Sequence, residues 1–223
     1  MKENFGLSRR EINFFRKLNT PWKIQEFINS LKINFEEEGD TCMSPRSVLE
    51  ARKAHCIEGA ILAAAILRFH GYEPLIVDME ANDKDYDHVI AVYKNEGHWG
   101  AITKSNHAVL RFRDPIYRNV RELIMSYFNE YIMNSTRKKT LRTYSRPVNL
   151  KRFDKLNWMT AKEPIWFIVE YLCEVKHFPL LTRKQIMSLK KSEPIEIEAG
   201  RVVQYLNPKW KKFSKQRFYR EGK

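Results

Sequence analysis

Three cysteines in 223 residues are too few and too odd in number for a disulfide framework. Cys42, Cys56 and Cys173 show no C-x-x-C spacing, so neither a structural zinc site nor a paired redox motif is expected. Unpaired thiols of this kind fit a reducing compartment. Long apolar runs are also lacking: the longest, residues 60–67, is far short of a membrane span. The opening "MKENFGLSRREINFF" has charges where a secretory leader needs an unbroken apolar stretch. The expectation is a soluble, cytoplasmic protein with no membrane span. Glycine is scarce, with 8 residues, and none form a phosphate-cradling loop. The 6 histidines lack metal-ligand spacing, so no metal and no cofactor is expected.

Acidic residues number 27 against 40 basic ones, which leaves a net charge of +13 and makes an acidic partner worth considering. The excess falls in two stretches. One runs from Arg137 through Arg152 to Lys155. The other holds Lys209, Lys211, Lys212, Lys215 and Arg217, interleaved with Trp210, Phe213, Phe218 and Tyr219. Base stacking with phosphate neutralisation would need such a mixture. A solvated surface with aromatic anchors is the plainer reading, because no recognition motif accompanies the charge.

Hydrophobic residues at 43% suffice for a core. Ser8 with Glu11, Thr20 before Pro21, and Ser44 before Pro45 each signal a helix start. Residues 57–70 are apolar nearly all round, as in a buried helix, and Gly71 stops them. "YEPLIVDM", "HVIAVY" and "HWGAIT" read as strands, the last two joined by a tight turn at residues 95–97. "HAVLRFRDP" reads as a fourth strand ended by Pro115, followed by a helix over 120–132. Helices are expected over 164–175 and from Thr182 to residue 191, and "PIEIEAGRVVQYL" as a small hairpin. The class is α+β. A soft boundary near residue 150 separates a core (1–150) from a helical, basic extension (151–223).

Cys56 falls at the start of the buried helix. The first turn of a helix has unpaired N–H groups and the positive end of the dipole. Both favour a thiolate, and the same N–H groups can hold an oxyanion. His88 opens a strand near that helix and is the candidate base. Hairpin pairing across residues 95–97 draws the residue that orients its imidazole from Thr103, Ser105 or Asn106. Asn106 is the best hydrogen-bonding choice, and Asp114 ranks second. His55 and His107 read as flanking residues, Glu58 as a helix-start cap, and Cys42 and Cys173 as inert. Arg46 or Arg113 is expected to pair with Asp78 or Asp114. The plain alternative for Cys56 is a small core residue.

Residues 20–146 resemble the bacterial transglutaminase-like proteins of the papain-like cysteine superfamily. The resemblance rests on "HCIEGAILAAAILRFHGYEPLIVDM", "DHVIAVY", "HWGAITKSN" and "RFRDPIYRNVRELIMSYFNEY". It implies a central helix with the nucleophile at its N-terminus, packed on a small antiparallel sheet that carries histidine and an acid. Cys56 and His88 match the family's cysteine and histidine. The family's acid is an aspartate shortly after a tryptophan; here Trp99 is present and Thr103 stands in that place. Papain-like enzymes often complete the oxyanion hole with a glutamine, a role that Gln25 would take. The implied function is a cysteine hydrolase or acyltransferase acting on a peptide, protein or other amide or ester through a Cys-His thioester. The alternatives are a catalytically silent binding protein on the same fold, and a binder of nucleic acid or acidic surfaces through the basic C-terminus.

Overall fold

The structure, a computed structural model, describes residues 5–207. Ser8, Thr20 and Ser44 each accept a hydrogen bond from the backbone N–H three residues on. They open α1 (Arg9–Lys17), α2 (Pro21–Ser30) and α3 (Pro45–Ala51). The two-residue strands β1 (Lys32–Ile33) and β2 (Lys53–Ala54) pair in parallel beside them. Next comes α4 (Cys56–Phe69), in which every residue from Ile57 to Arg68 is buried. Gly71, at φ 94°, lets the chain turn away from its end.

The main sheet is antiparallel, in the order β11 (His177–Pro179), β9 (Thr143–Ser145), β3 (Leu75–Glu80), β4 (His88–Asn95), β5 (His98–Ile102) and β6 (Arg113–Tyr117). A short β10 (Val148–Asn149) also pairs with β3. The β4–β5 hairpin turns at Glu96 and Gly97, both with positive φ, as a right-twisted two-residue turn requires. Side chains alternate across the sheet. Ile76, Val89, Ala91, Tyr93 and Ile102 pack with α4 on one side. Val77, Met79, Ile90, Val92 and Ala101 form a second cluster with Leu123, Ile124 and Tyr127 from the α5 (Val120–Met125) region. The α+β class and the central-helix core are thus as the sequence implies.

Several expectations need correction. The fourth strand begins six residues later than proposed, at Arg113, and Pro115 lies inside it. That is tolerated because β6 is an edge strand. The helix after it ends at Met125 and gives way to a single 3-10 turn at Phe128–Glu130. A small hairpin follows, made of β7 (Ile132–Met133) and β8 (Lys138–Lys139). Further on, α6 (Trp166–Glu174) and α7 (Arg183–Ser188) fall where expected. "PIEIEAGR" forms α8 (Pro194–Arg201), not a hairpin strand: its alternating pattern also suits a helix opened by Glu193, Pro194 and Glu196. Arg46 pairs with Glu11 at 2.8 Å and Arg113 with Glu130 at 2.5 Å, rather than with Asp78 or Asp114.

Candidate active site

Helix α4 is held tightly against the segment after β5. A Cβ on Gly59 would lie 2.5 Å from the Cβ of Lys104, so only glycine allows this approach. Lys104 is buried, and its ammonium donates to the carbonyls of Ile28 and Leu31 at the end of α2. Burial, helped by the charge of Arg111, lowers its pKa to about 8. This packing places the first residue of α4 beside the start of β4 and the end of β5.

Cys56 is that first residue and is half-buried. Burial alone would push its thiol pKa up. Hydrogen bonds with His55 and His88, together with their charge, outweigh burial and bring it down to about 5. The contrast with Cys42 is sharp: that thiol is fully buried, points to the Ile165 carbonyl, and is pushed up to about 12 by burial and by the charge of Glu58. Cys173 is exposed.

His88, buried at the start of β4, has Nε2 2.6 Å from the hydroxyl of Thr103. With Nε2 so engaged, Nδ1 is the nitrogen left for the sulfur. Thr103 is itself clamped by Gln25, whose carboxamide accepts from the Thr103 N–H at 2.9 Å and donates to its carbonyl at 2.8 Å. The second Gln25 amide hydrogen goes to Asn29 at 2.8 Å. Gln25 therefore grips the strand end behind His88, and no amide hydrogen remains for an oxyanion.

The remaining sequence candidates lie elsewhere. The Asn106 carboxamide pairs with the backbone of Tyr205 in both directions, each bond 2.9 Å, so Thr103 rather than Asn106 meets the imidazole. Asp114 is exposed on edge strand β6, and its charge acts on buried Tyr93. His107 donates to or accepts from none of these groups; its Nδ1 meets the Gly200 carbonyl at 2.8 Å. Lys209, Lys211, Lys212, Lys215 and Arg217 lie outside the described residues.

Glu58, expected as a helix-start cap, does cap the His55 N–H and reaches further than expected. Glu58 is completely buried and gathers the preceding loop around the start of α4. Its carboxylate accepts from the N–H groups of Met43 and His55, both at 3.0 Å, from the Thr41 hydroxyl at 2.8 Å and from the Asn34 amide at 3.2 Å. Although burial opposes ionisation, hydrogen bonding and the charge of His55 bring its pKa down to about 2. The spacing His55-Cys56-x-Glu58 hints at this, because the third helical residue can reach back to its cap. Glu36 also approaches His55, at 3.5 Å, and no local sequence signal foretells that contact.

Cys56, His55, His88, Glu36 and Asn106 line one cleft of about 700 Å³, walled on one side by Glu196 and Gly200 of α8. Away from the thiol, Asp78, Glu80 and His177 bring ligand-type atoms within 4.8 Å of one another, a grouping invisible in sequence spacing. His177 Nδ1 donates to the Val175 carbonyl, and Nε2 lies 3.2 Å from Asp78 Oδ2. Among the described residues, no helix is long and apolar enough to cross a membrane.

No curated protein matches the chain. A family model described as "Transglutaminase-like domain" matches residues 9–109, a span that contains Cys56, His88 and Thr103. Cysteine and histidine meeting between the start of a central helix and the first residue of interior strand β4 agree with that match: residues 9–109 are similar to a transglutaminase-like domain.

Proposed function

We propose that the cleft is the active site of a cysteine hydrolase or acyltransferase, with Cys56 as nucleophile and His88 as its base. The observation that carries this reading is the depressed thiol at the start of α4, in hydrogen-bond contact with an imidazole whose far nitrogen is held by Thr103. Cys56 attacks an amide or ester carbonyl, and N–H groups of the first helical turn steady the oxyanion. His88 receives the thiol proton and returns it to the leaving amine or alcohol as the thioester forms. Water or an amine then releases the acyl group. Thr103, held by Gln25, does the orienting that an acid does in the family pattern. The substrate class is a peptide, protein or other amide or ester that can enter the cleft.

A second reading is a binding protein that has lost catalysis, favoured by the uncharged Thr103 where an acid is usual. A thiol-directed electrophilic probe separates the two. The enzymatic reading requires labelling at Cys56 near neutral pH, slowed in His88→Ala. Equal labelling of Cys56 and Cys42, or labelling indifferent to His88, would defeat it.

A further inference from the structure

His55 is a polar group of the cleft, next to Cys56, that this scheme leaves unused. Its ring Nε2 lies 2.9 Å from the Thr41 carbonyl oxygen. A carbonyl only accepts, so Nε2 carries hydrogen. The same nitrogen is 3.4 Å from a Glu58 carboxylate oxygen and 3.5 Å from a Glu36 carboxylate oxygen. Two carboxylates and a carbonyl thus surround one ring N–H. The ring also hydrogen-bonds the Cys56 thiol, for which only Nδ1 remains.

We propose that His55 is a permanently protonated imidazolium that holds Cys56 as a thiolate, a catalytic residue distinct from the base His88. This rests on the reading of Cys56 as nucleophile and adds the source of its activation. Thr103 is uncharged: it can steer the His88 ring but brings no negative charge to stabilise a cation. In this chain the negative charge stands behind the other histidine instead, as Glu58 and Glu36. Burial works against a charged His55, yet its bonds to Cys56 and Glu58 and the charge of Glu58 raise its pKa to about 11.

The charged and titratable groups facing this pair come from several elements. Cys56 and Glu58 belong to α4, Glu36 to the loop before α3, and His88 to β4. Tyr131, after the 3-10 turn, feels the Cys56 charge, and Cys42 feels those of Glu58 and Glu36.

The proton balance follows. The thiol proton moves to His88, and that of His55 stays where it is. The sulfur bonds to the carbonyl carbon, whose π pair moves to oxygen. Collapse breaks the bond to the leaving group, and His88 protonates that group. His55 neither gains nor loses a proton through the cycle.

The test is the pH profile of Cys56 alkylation by iodoacetamide in the full chain, comparing wild type, His55→Gln and His88→Gln, with melting temperature recorded for each. The wild-type midpoint is expected near about 5. In His55→Gln it should move up by about one pH unit or more, and alkylation at pH 5 should slow by roughly fivefold. An activated wild type with an unmoved His55→Gln midpoint overturns this proposal and leaves the nucleophile reading standing. An ordinary midpoint in the wild type removes both. Should His55→Gln fail to fold, ¹⁵N-imidazole NMR of the wild type at pH 8 decides. Both ring nitrogens of His55 should be protonated there, and a neutral ring would refute the assignment.

Discussion

Glu58→Gln tests whether the buried carboxylate organises the site. Its pKa is lowered from the model-peptide value 4.5 to about 2 on folding. At 1.36 kcal/mol for each pH unit, that difference corresponds to about 3 kcal/mol of stability at neutral pH. The sign is fixed by the direction: the contribution is present above about 4.5 and disappears as pH falls toward about 2. The hydrogen bonds lead to the same conclusion independently. One oxygen accepts from Thr41 and the Met43 N–H, the other from the His55 N–H and Asn34. A glutamine must turn its NH₂ toward one of these donor pairs, whichever way it flips, and buried donors left without acceptors cost about 1–3 kcal/mol each. Urea denaturation at pH 7 should therefore show a loss of about 3 kcal/mol, or a melting temperature lower by roughly 6–12 °C for a chain of this size. The variant should also lack the part of the wild-type acid loss that falls between pH 4.5 and 2. A loss below about 1 kcal/mol, with the acid limb unchanged, would refute the reasoning.

Three other outcomes are expected. Thr103→Val keeps the shape but leaves buried His88 Nε2 without its partner, so Cys56-dependent turnover should fall about tenfold and the fold should lose about 1–3 kcal/mol of stability; equal turnover would remove Thr103 from the site. Gly59→Ala forces a methyl into the Lys104 side chain and should cost about 1–3 kcal/mol in chemical denaturation. Asn106→Ala loses both bonds to Tyr205, so trypsin should cut at Arg201 about tenfold faster while the Cys56 alkylation midpoint stays put; a moved midpoint would return Asn106 to the chemistry.

What could be read from the sequence was what local rules decide. Caps at Ser8, Thr20 and Ser44 set helix starts, and the apolar run over residues 60–67 marks a helix with no exposed face. The β4–β5 hairpin follows from one turn, which is why its register brought Thr103 and Asn106 into view together. The choice between them was not local. Asn106 is drawn off by Tyr205, 99 residues away, and Thr103 is fixed by Gln25 from 78 residues upstream. The same holds for Glu36 and the His55 ring. "PIEIEAGR" misled because strand and helix periods coincide over so short a stretch, and Pro194 then decides for the helix.

The hydroxyl of Thr103 has a property that a carboxylate in its position lacks. A carboxylate can only take hydrogen, which pins one tautomer of the ring beside it. A hydroxyl swivels about its C–O axis, so it can receive from an imidazole N–H or offer its own hydrogen to a bare nitrogen. His88 can therefore exchange tautomers, or hold a hydrogen on both nitrogens, without forfeiting its companion.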